Sequence, residues 1–362
     1  MESKIYNALD DQLQKEWESL WASSQNSHFF NSPMWFLTCL KTYRYSKVLI
    51  LTVYSDSQLV AVLPLVRAKK LGISVLMCPG GVFLDRSSLL LADINENLLL
   101  HIAKTLSKLG NFYLAEVEKN LADSLCQIFP LILKFPQPLS TSPYLPLESD
   151  PLRFVPSRHR SEINSILRKC QANISTSFIS PSTQSDLQTI VELEKVSSKD
   201  KKHTEIFNNP NTLLFFRNLI DISPKSVGII LLCFDGQPIA GDIGYIYNST
   251  FRGFYTAYDN HFRHLGPGKL LKYITAQELT KRGFVCYDLS RGLANYKSEL
   301  TPHVIYQSDL YYSSNYLVLW WWKALNNLKN YLEKHPRLYE TIRMGKNVLV
   351  KKLTYPSINR KK

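Results

Sequence analysis

The residues best suited to chemistry lie in one stretch of the second half, FRGFYTAYDNHFRHLGPGKLLKYITAQELTKRGF, residues 251–284. A strand-like segment over 251–258 leads to Asp259 and then to Arg263-His264-Leu265-Gly266-Pro267-Gly268, and a helical pattern sets in at about Lys269. This is R-x-x-G-x-G between a strand and a helix. Glycines let the backbone approach an anion closely and turn its N–H groups inward. The helix N-terminus adds partial positive charge and unsatisfied amides. The chemistry is that of a pyrophosphate cradle, with Arg263, Gly266, Pro267, Gly268 and Lys269 as its contacts. On its own, so short a pattern is also what a tight strand–helix turn looks like.

Positioning such a loop takes a strand, a helix and a core beneath them. The 362 residues exceed one ordinary domain of about 100–200 residues. Hydrophobic residues make up 45% and charged residues 20%, a globular composition that excludes a disordered chain. The chain also repeats itself. Phe30-Asn31-Ser32-Pro33 opens one helical stretch and Phe207-Asn208-Asn209-Pro210 opens another, 177 residues on. Asn or Ser before Pro is helix N-terminal chemistry. A hairpin follows each time, KVLILTVY-SDS-QLVAVLPLV and VGIILLCF-DG-QPIAGDIGYI, with Gln58 and Ala61 matching Gln237 and Ala240 at a spacing of 179. Asp235-Gly236 is a two-residue turn signal. The order and spacing predict two copies of one α/β unit. Between them, residues 135–157 are rich in Pro and Ser and predict a linker, with a boundary near Pro151. Arg158-His159-Arg160 then opens a further helix.

The formal net charge is +13, of which +9 falls between Asn315 and Lys362, where eleven Lys/Arg face two Asp/Glu. A nearly balanced body with a basic tail is not the footprint of a dedicated nucleic-acid binder. In the tail, Leu317, Trp321, Leu325, Leu328 and Leu332 recur at helical spacing. A second run, Leu338, Ile342, Gly345, Leu349 and Leu353, follows Pro336 and carries Arg343, Lys346 and Lys351 on its other side. Trp320-Trp321-Trp322 with its lysines suits an anionic membrane interface. A helical hairpin packed on the body with a solvated basic face is the alternative. No run of eighteen apolar residues predicts a spanning helix, and the polar N-terminus lacks signal-peptide character, which predicts a cytoplasmic protein. Six single cysteines, with no CxxC and no HExxH, predict neither a metal site nor a disulfide framework.

Over residues 17–312 the chain resembles the GNAT superfamily, and within it the acetyltransferases related to cellulose-biosynthesis CelD proteins, themselves similar to Fem-type aminoacyltransferases. The resemblance rests on Phe30–Trp35, the hairpin with Gln237-Pro238-Ile239-Ala240, the run Ala257-Tyr258-Asp259, Pro267-Gly268, and Asp288-Leu289-Ser290-Arg291-Gly292 followed by Tyr296-Lys297. The last block, D-x-x-R-G-x-x-x-Y-K, is the most distinctive. The resemblance implies an α/β fold of two tandem GNAT-like domains, with mixed sheets flanked by helices: residues 1–150, residues 151–314 with the acyl-CoA loop, and a basic helical appendage over 315–362. It implies acetyl-CoA or another acyl-CoA as co-substrate and no metal. The acceptor is expected to be an amine or hydroxyl of a sugar, sugar nucleotide or lipid-linked surface-polysaccharide precursor, bound between the copies. The first copy has Cys78-Pro79-Gly80-Gly81 but no R-x-x-G-x-G, so the donor is expected in the second.

Acyl transfer from a thioester needs a base, oxyanion donors and a proton for the leaving thiolate. Asp288 is the first candidate base, with a structural pairing to Arg291 as its alternative, and Asp259 is the second, or a cap of the loop. Tyr296 is the candidate acid, or a packed aromatic. Arg291, Lys297 and Arg160 are candidates for anionic groups of the substrates. Glu194 reads as a solvated helix charge and Cys286 as a buried strand residue. His261, His264 and His303 form no readable catalytic arrangement. The competing readings are a Fem-like transfer from aminoacyl-tRNA to a peptidoglycan precursor, and a non-catalytic module tethered by its tail.

Overall fold

Both Phe-Asn-x-Pro segments start helices. The Ser32 hydroxyl accepts from the Trp35 amide at 3.1 Å ahead of Pro33, and the Asn209 side chain accepts from the Asn211 amide at 3.0 Å ahead of Pro210. Each cap satisfies an orphan donor, and each proline sits where no hydrogen bond is lost. The carboxylate of Glu194, far from being solvated, is buried and accepts from the Ile206 and Phe207 amides at 2.7 and 2.9 Å, fixing the entry to the second of these helices.

A computed structural model describes residues 1–148, 150–170, 173–197, 206–292 and 294–334. The described chain divides into two units, Met1–Ser140 with the segment from Tyr306 onward, and Thr141–Ile305. The first runs through β1 (Glu2–Tyr6), α1 (Asp11–Ser23), α2 (Pro33–Thr42), β2 (Val48–Ser55), β3 (Gln58–Lys70), β4 (Ile73–Met77), β5 (Leu90–Leu91), α3 (Glu96–Leu109), β6 (Phe112–Glu118) and α4 (Lys119–Ile128). β7 (Leu133–Pro146) leads into the second. There follow α5 (Ser157–Cys170), β8 (Ile174–Ile179), α6 (Gln184–Val196), α7 (Pro210–Ile222), β9 (Val227–Phe234), β10 (Gln237–Tyr247), β11 (Thr250–Tyr258), α8 (Pro267–Lys281), β12 (Cys286–Asp288) and α9 (Asn295–Leu300). β13 (Val304–Tyr312) and α10 (Tyr316–Lys334) close the described chain. The division falls at Ser140, where composition suggests Pro151, and β13 and α10 group with the first unit rather than with a second domain and a separate tail.

The repeat extends well beyond the helix and hairpin. The first unit's sheet has the order β1-β2-β3-β4-β6-β13, with β5 paired to β3, and the second has β8-β9-β10-β11-β12-β7. In each, only the fourth and fifth strands run parallel. The two-residue turns recur as well, all at positive φ: Asp56-Ser57 and Leu71-Gly72 in the first copy, Asp235-Gly236 and Asn248-Ser249 in the second. The sixth strand of each sheet comes from the other half of the sequence, β7 pairing with β12 and β13 with β6. The stretch expected to be a linker is thus largely strand. Its prolines are tolerated because the neighbouring strands use other groups. Tyr144 and Leu147 supply amides to His303 and Val285 at 3.1 and 2.9 Å, and Pro143 supplies only a carbonyl, to Leu289 at 2.9 Å.

The Cys78–Gly81 segment of the first unit is structural. Gly80 has φ +111, and a Cβ there would lie 2.3 Å from the fully buried ring of Trp35, whose Nε1 donates to the Pro79 carbonyl at 3.3 Å. The loop continues onto β6, where the Ser87 amide donates to the Glu116 carbonyl at 3.0 Å. Gly80→Ala is expected to cost more than about 2 kcal/mol, since left-handed strain and a core overlap add together. Gly72→Ala, also at positive φ but with nothing near its Cβ, should cost about 1–2 kcal/mol. Paired urea unfolding curves of the two variants check the difference.

Candidate functional site

β11 and β12 pair only over Thr250–Arg252 and Cys286–Asp288. β12 ends there, while β11 continues to Tyr258 with β10 along its other edge. Past Arg252, no strand of the described residues pairs with the edge of β11 that faces away from β10. Backbone amides and carbonyls therefore line one side of a wedge that opens between two parallel strands. At its open end the Asp259 amide donates to the Ile239 carbonyl at 2.8 Å and closes β11 off.

The glycine loop stands at that end. Residues Asn260–Leu265 form a 3-10 turn, Gly266 takes φ +59 and ψ +46, and α8 begins at Pro267. Left-handed backbone is what a Cβ would strain. The Gly266 amide donates to the Arg263 carbonyl at 3.0 Å, and its carbonyl accepts from Lys269 and Leu270 at 3.0 Å. Gly268 lets the head of α8 approach the Tyr258 ring, since a Cβ there would lie 3.3 Å from it. Arg263 and His264 are exposed on the turn. The loop thus stands at the positive end of a fifteen-residue helix, with the Gly266, Lys269 and Leu270 amides turned into the loop itself.

Under the wedge lies a buried polar knot. Asp242 of β10 is fully buried, and its Oδ2 accepts from Lys272 Nζ of α8 and from the Tyr287 hydroxyl of β12, both at 2.7 Å. Its Oδ1 accepts from Thr256 Oγ1 of β11 at 3.0 Å. One carboxylate therefore ties three strands to the helix that carries the loop. Tyr296 of α9 senses it. Its phenol is pushed up to about 12, first by loss of surrounding water and then by the charge of Asp242.

Asp288 has a structural role. It pairs with the fully buried guanidinium of Arg252, and its other oxygen accepts from the Ser290 amide at 2.8 Å. A carboxylate 1% exposed and committed on both oxygens positions the β12 turn rather than taking a proton from a substrate. Ser290 has φ +65 and Gly292 has φ +95 in that turn. Lys297 closes it from α9, its buried ammonium donating to the Ser290 and Arg291 carbonyls at 3.0 and 2.9 Å. Lys297 is therefore a brace of the loop, and the Arg291 side chain is presented exposed on its outside. Asp259 caps the 3-10 turn, accepting from the His261 amide at 2.9 Å with the His261 ring at 2.8 Å. Cys286 is half-buried in β12.

The remaining expected residues meet around Glu299 of α9. Lys269 Nζ lies 3.6 Å from Glu299 Oε2 and 3.9 Å from Glu162 Oε2, so its charge is shared with two carboxylates. The same Glu299 oxygen lies 3.2 Å from His159 Nδ1 at the start of α5. Arg160 pairs with Asp150 at 3.4 Å, away from this contact. Sequence reasoning missed Asp242, Lys272, Arg252 and the His159–Glu299 pair. A lone Asp inside the apolar QPIAGDIGYI strand signals the first. Nothing in the spacing signals the last, whose partners are 140 residues apart.

Comparison with known proteins agrees with this geometry. Residues 157–298 match the family model of the acetyltransferase (GNAT) domain. That span runs from α5, which carries His159, to α9, which carries Tyr296, and includes the wedge and the loop. Among solved structures, the chain is similar to FemX, at 14% identity over 88% of this chain and 98% of that one, with a TM-score of 0.62. It is similar to L-PGS from Bacillus licheniformis, at 12% identity over 83% and 92%, with a TM-score of 0.51. A tandem GNAT protein from the clavulanic acid biosynthesis pathway matches at 12% identity over 87% and 99%, with a TM-score of 0.50. At such identities the likeness is one of fold, two GNAT-like units in one chain. No curated protein matches the sequence.

The knot beneath the wedge generates a prediction. Lys272→Met leaves Asp242 buried without its cation and is expected to cost about 3–5 kcal/mol, most of it recovered in Asp242→Asn/Lys272→Met. The double variant also removes the charge that raises Tyr296. Its phenol should then titrate below 12, closer to the ordinary 10. Chemical denaturation and ultraviolet difference titration against a Tyr296→Phe background measure the two effects.

Proposed function

We propose that the second unit transfers an acyl group from acyl-CoA, acetyl-CoA being the simplest donor, directly to an amine or hydroxyl acceptor. The observation that carries this is the conjunction of the β11/β12 wedge with a left-handed glycine entering α8. A long flexible donor with a diphosphate at one end and a thioester at the other fits both. The Gly268 amide and the positive end of α8, with Arg263 beside them, hold the diphosphate. The open edge of β11 over residues 253–258 takes the amide-bearing arm by strand-like hydrogen bonds and directs an N–H at the thioester oxygen.

In the transfer, the acceptor nitrogen or oxygen bonds to the thioester carbon, the C–S bond breaks, and the sulfur leaves as thiolate. Tyr296 keeps its proton at any physiological pH, because its phenol titrates near 12. An ordinary thiol titrates near 8.5, so tyrosinate is the stronger base. Tyr296 therefore stabilises the departing sulfur as a hydrogen-bond donor, and the thiolate takes its proton from water. With Asp288 held by Arg252 and the Ser290 amide, and Asp259 capping the 3-10 turn, the base is His159. The Glu299 carboxylate, 3.2 Å from its Nδ1, stabilises the positive charge the ring gains when it takes the acceptor's proton. The CelD-like resemblance directs the acceptor toward a sugar, a sugar nucleotide or a lipid-linked polysaccharide precursor. The Fem-like reading, with aminoacyl-tRNA as donor, is supported by the fold likeness to FemX over 88% of the chain.

Calorimetry separates the two donors. Acetyl-CoA is expected to bind in the micromolar range and to lose that binding in Gly268→Trp, which fills the loop beside Tyr258. Absence of binding to a folded protein would overturn the acyl-CoA reading in favour of aminoacyl-tRNA. With acetyl-CoA and glucosamine as a generic amine, followed by release of free thiol, His159→Gln should lower kcat by about 10²–10⁴-fold, while leaving the calorimetric affinity for acetyl-CoA unchanged.

A further inference from the structure

Helix α10 packs on the first unit with a different face from the one its sequence advertises. Leu319 and Trp322 are buried against Val66, Val75, Met77 and Tyr311. The strongest apolar spacing of the segment points elsewhere. Leu317, Trp321 and Leu328 are 76%, 45% and 49% exposed, and Trp320 and Tyr331 beside them are 67% and 54% exposed. Positions 317, 320, 321, 324, 328 and 331 fall on one stripe of a helix. The helix therefore carries two apolar seams, one buried and one bare among the described residues. Exposed apolar surface of this extent on a stable element marks a binding surface.

The charge around the bare seam identifies what covers it. The Trp321 indole reaches the Leu71 carbonyl at 3.4 Å, which sets the seam beside the β3–β4 turn. Tyr45, Ala68, Leu71 and Ile73 pack in the same cluster as Leu319 and Trp322, so this end of the sheet borders the helix. Between residues 41 and 84 the sequence has six Lys/Arg and a single acid, Asp56, which sits at the opposite, β2–β3 turn. Arg44, Lys47 and Lys69 are exposed at the α10 end. From Tyr316 to Leu332 the helix has two lysines and no acid, and residues 335–362 add eight Lys/Arg and one Glu. Indoles, a phenol and leucines ringed by cations match the boundary of an anionic bilayer, where aromatic rings sit at headgroup level. Peripheral attachment needs two weak signals, apolar insertion and basic attraction, and both are present. Among the described residues, no helix is long and apolar enough to cross a membrane.

We propose that the bare seam of α10, with the basic end of the first unit's sheet, docks this protein peripherally on an anionic lipid surface. The axis of α10 then lies along the membrane, with Leu317, Trp320, Trp321 and Leu328 in the headgroup–acyl boundary and Lys69, Lys47 and Arg44 against the headgroups. The attachment is independent of which donor the second unit uses.

The test is flotation of the full-length protein with phosphatidylcholine vesicles prepared with and without phosphatidylserine. The expected result is binding to the anionic vesicles only, weakened by salt, with a blue shift of tryptophan emission. Leu317→Ser/Trp320→Ser, which touches only exposed positions, should retain the thermal midpoint and bind at least about tenfold more weakly. Lys69→Glu should weaken binding by about fivefold or more. Failure of the wild-type protein to float with anionic vesicles would overturn the proposal. So would undiminished binding by the double variant. A third contrary result is a wild-type dimer, by light scattering without lipid, that the double variant converts to monomer with vesicle binding unchanged. The seam would then belong to a second copy of the chain.

Discussion

A carboxylate cut off from water has to be neutralised where it stands, and Asp242 is neutralised from three different elements at once. Its two oxygens take hydrogen bonds from Lys272, Tyr287 and Thr256, which lie on α8, β12 and β11. Removing any donor leaves part of a buried charge unanswered, at a cost larger than the net worth of an ordinary hydrogen bond. The knot therefore fixes the relative placement of the helix that carries the glycine loop and the two strands that diverge above it. That placement is what the proposed donor, with phosphates at one end and a thioester at the other, has to meet.

The two copies show what the knot changes. At the spacing that aligns Gln58 with Gln237, Asp242 corresponds to Leu63, itself 1% exposed and part of an apolar core. The first copy needs no fixed helix head, because its fourth strand ends at Met77, where its pairing to the fifth ends. Its next segment, through Ser87, hydrogen-bonds back onto β6. In the second copy the equivalent strand runs on for six residues past its last pair with β12. Two units with one topology thus differ in whether a strand edge is left for something else to pair with. That difference, more than the presence of R-x-x-G-x-G, favours the second unit for the proposed donor chemistry.

The repeat, the helix starts and the glycine turn were legible because each depends on local chemistry. Ser32 and Asn209 cap the helices they precede, and Asp235-Gly236 turns where its positive φ values are needed. The linker misread comes from counting prolines without knowing which edge of a strand must supply amides. In the tail the more regular apolar spacing is not the one that packs, since Leu319 and Trp322 go inward and Leu317 stays out. Glu194 shows the same limit from the other side. A charge on a helix is solvated unless a loop twelve residues away brings its amides to it, as Ile206 does. Long-range pairing has no signature in spacing, and for that reason the Arg252–Asp288 and His159–Glu299 contacts were invisible.

The block D-x-x-R-G-x-x-x-Y-K illustrates why distinctive residues are uncertain guides to chemistry. Asp288 and Lys297 stand out in the sequence because charged residues seldom occur in such surroundings, yet both are buried and both hold backbone. A buried charge tolerates no substitution without a partner's loss, so a scaffold can impose a pattern as strict as a reaction does. The groups on which the proposed transfer rests are the less conspicuous ones. Tyr296 is one of 20 tyrosines, and it matters because it stands 40% exposed within reach of Asp242's field. His159 is an ordinary member of a basic helix start until Glu299 is placed against it. In this fold the conspicuous charges build the turn, and the proposed transfer rests on groups outside it.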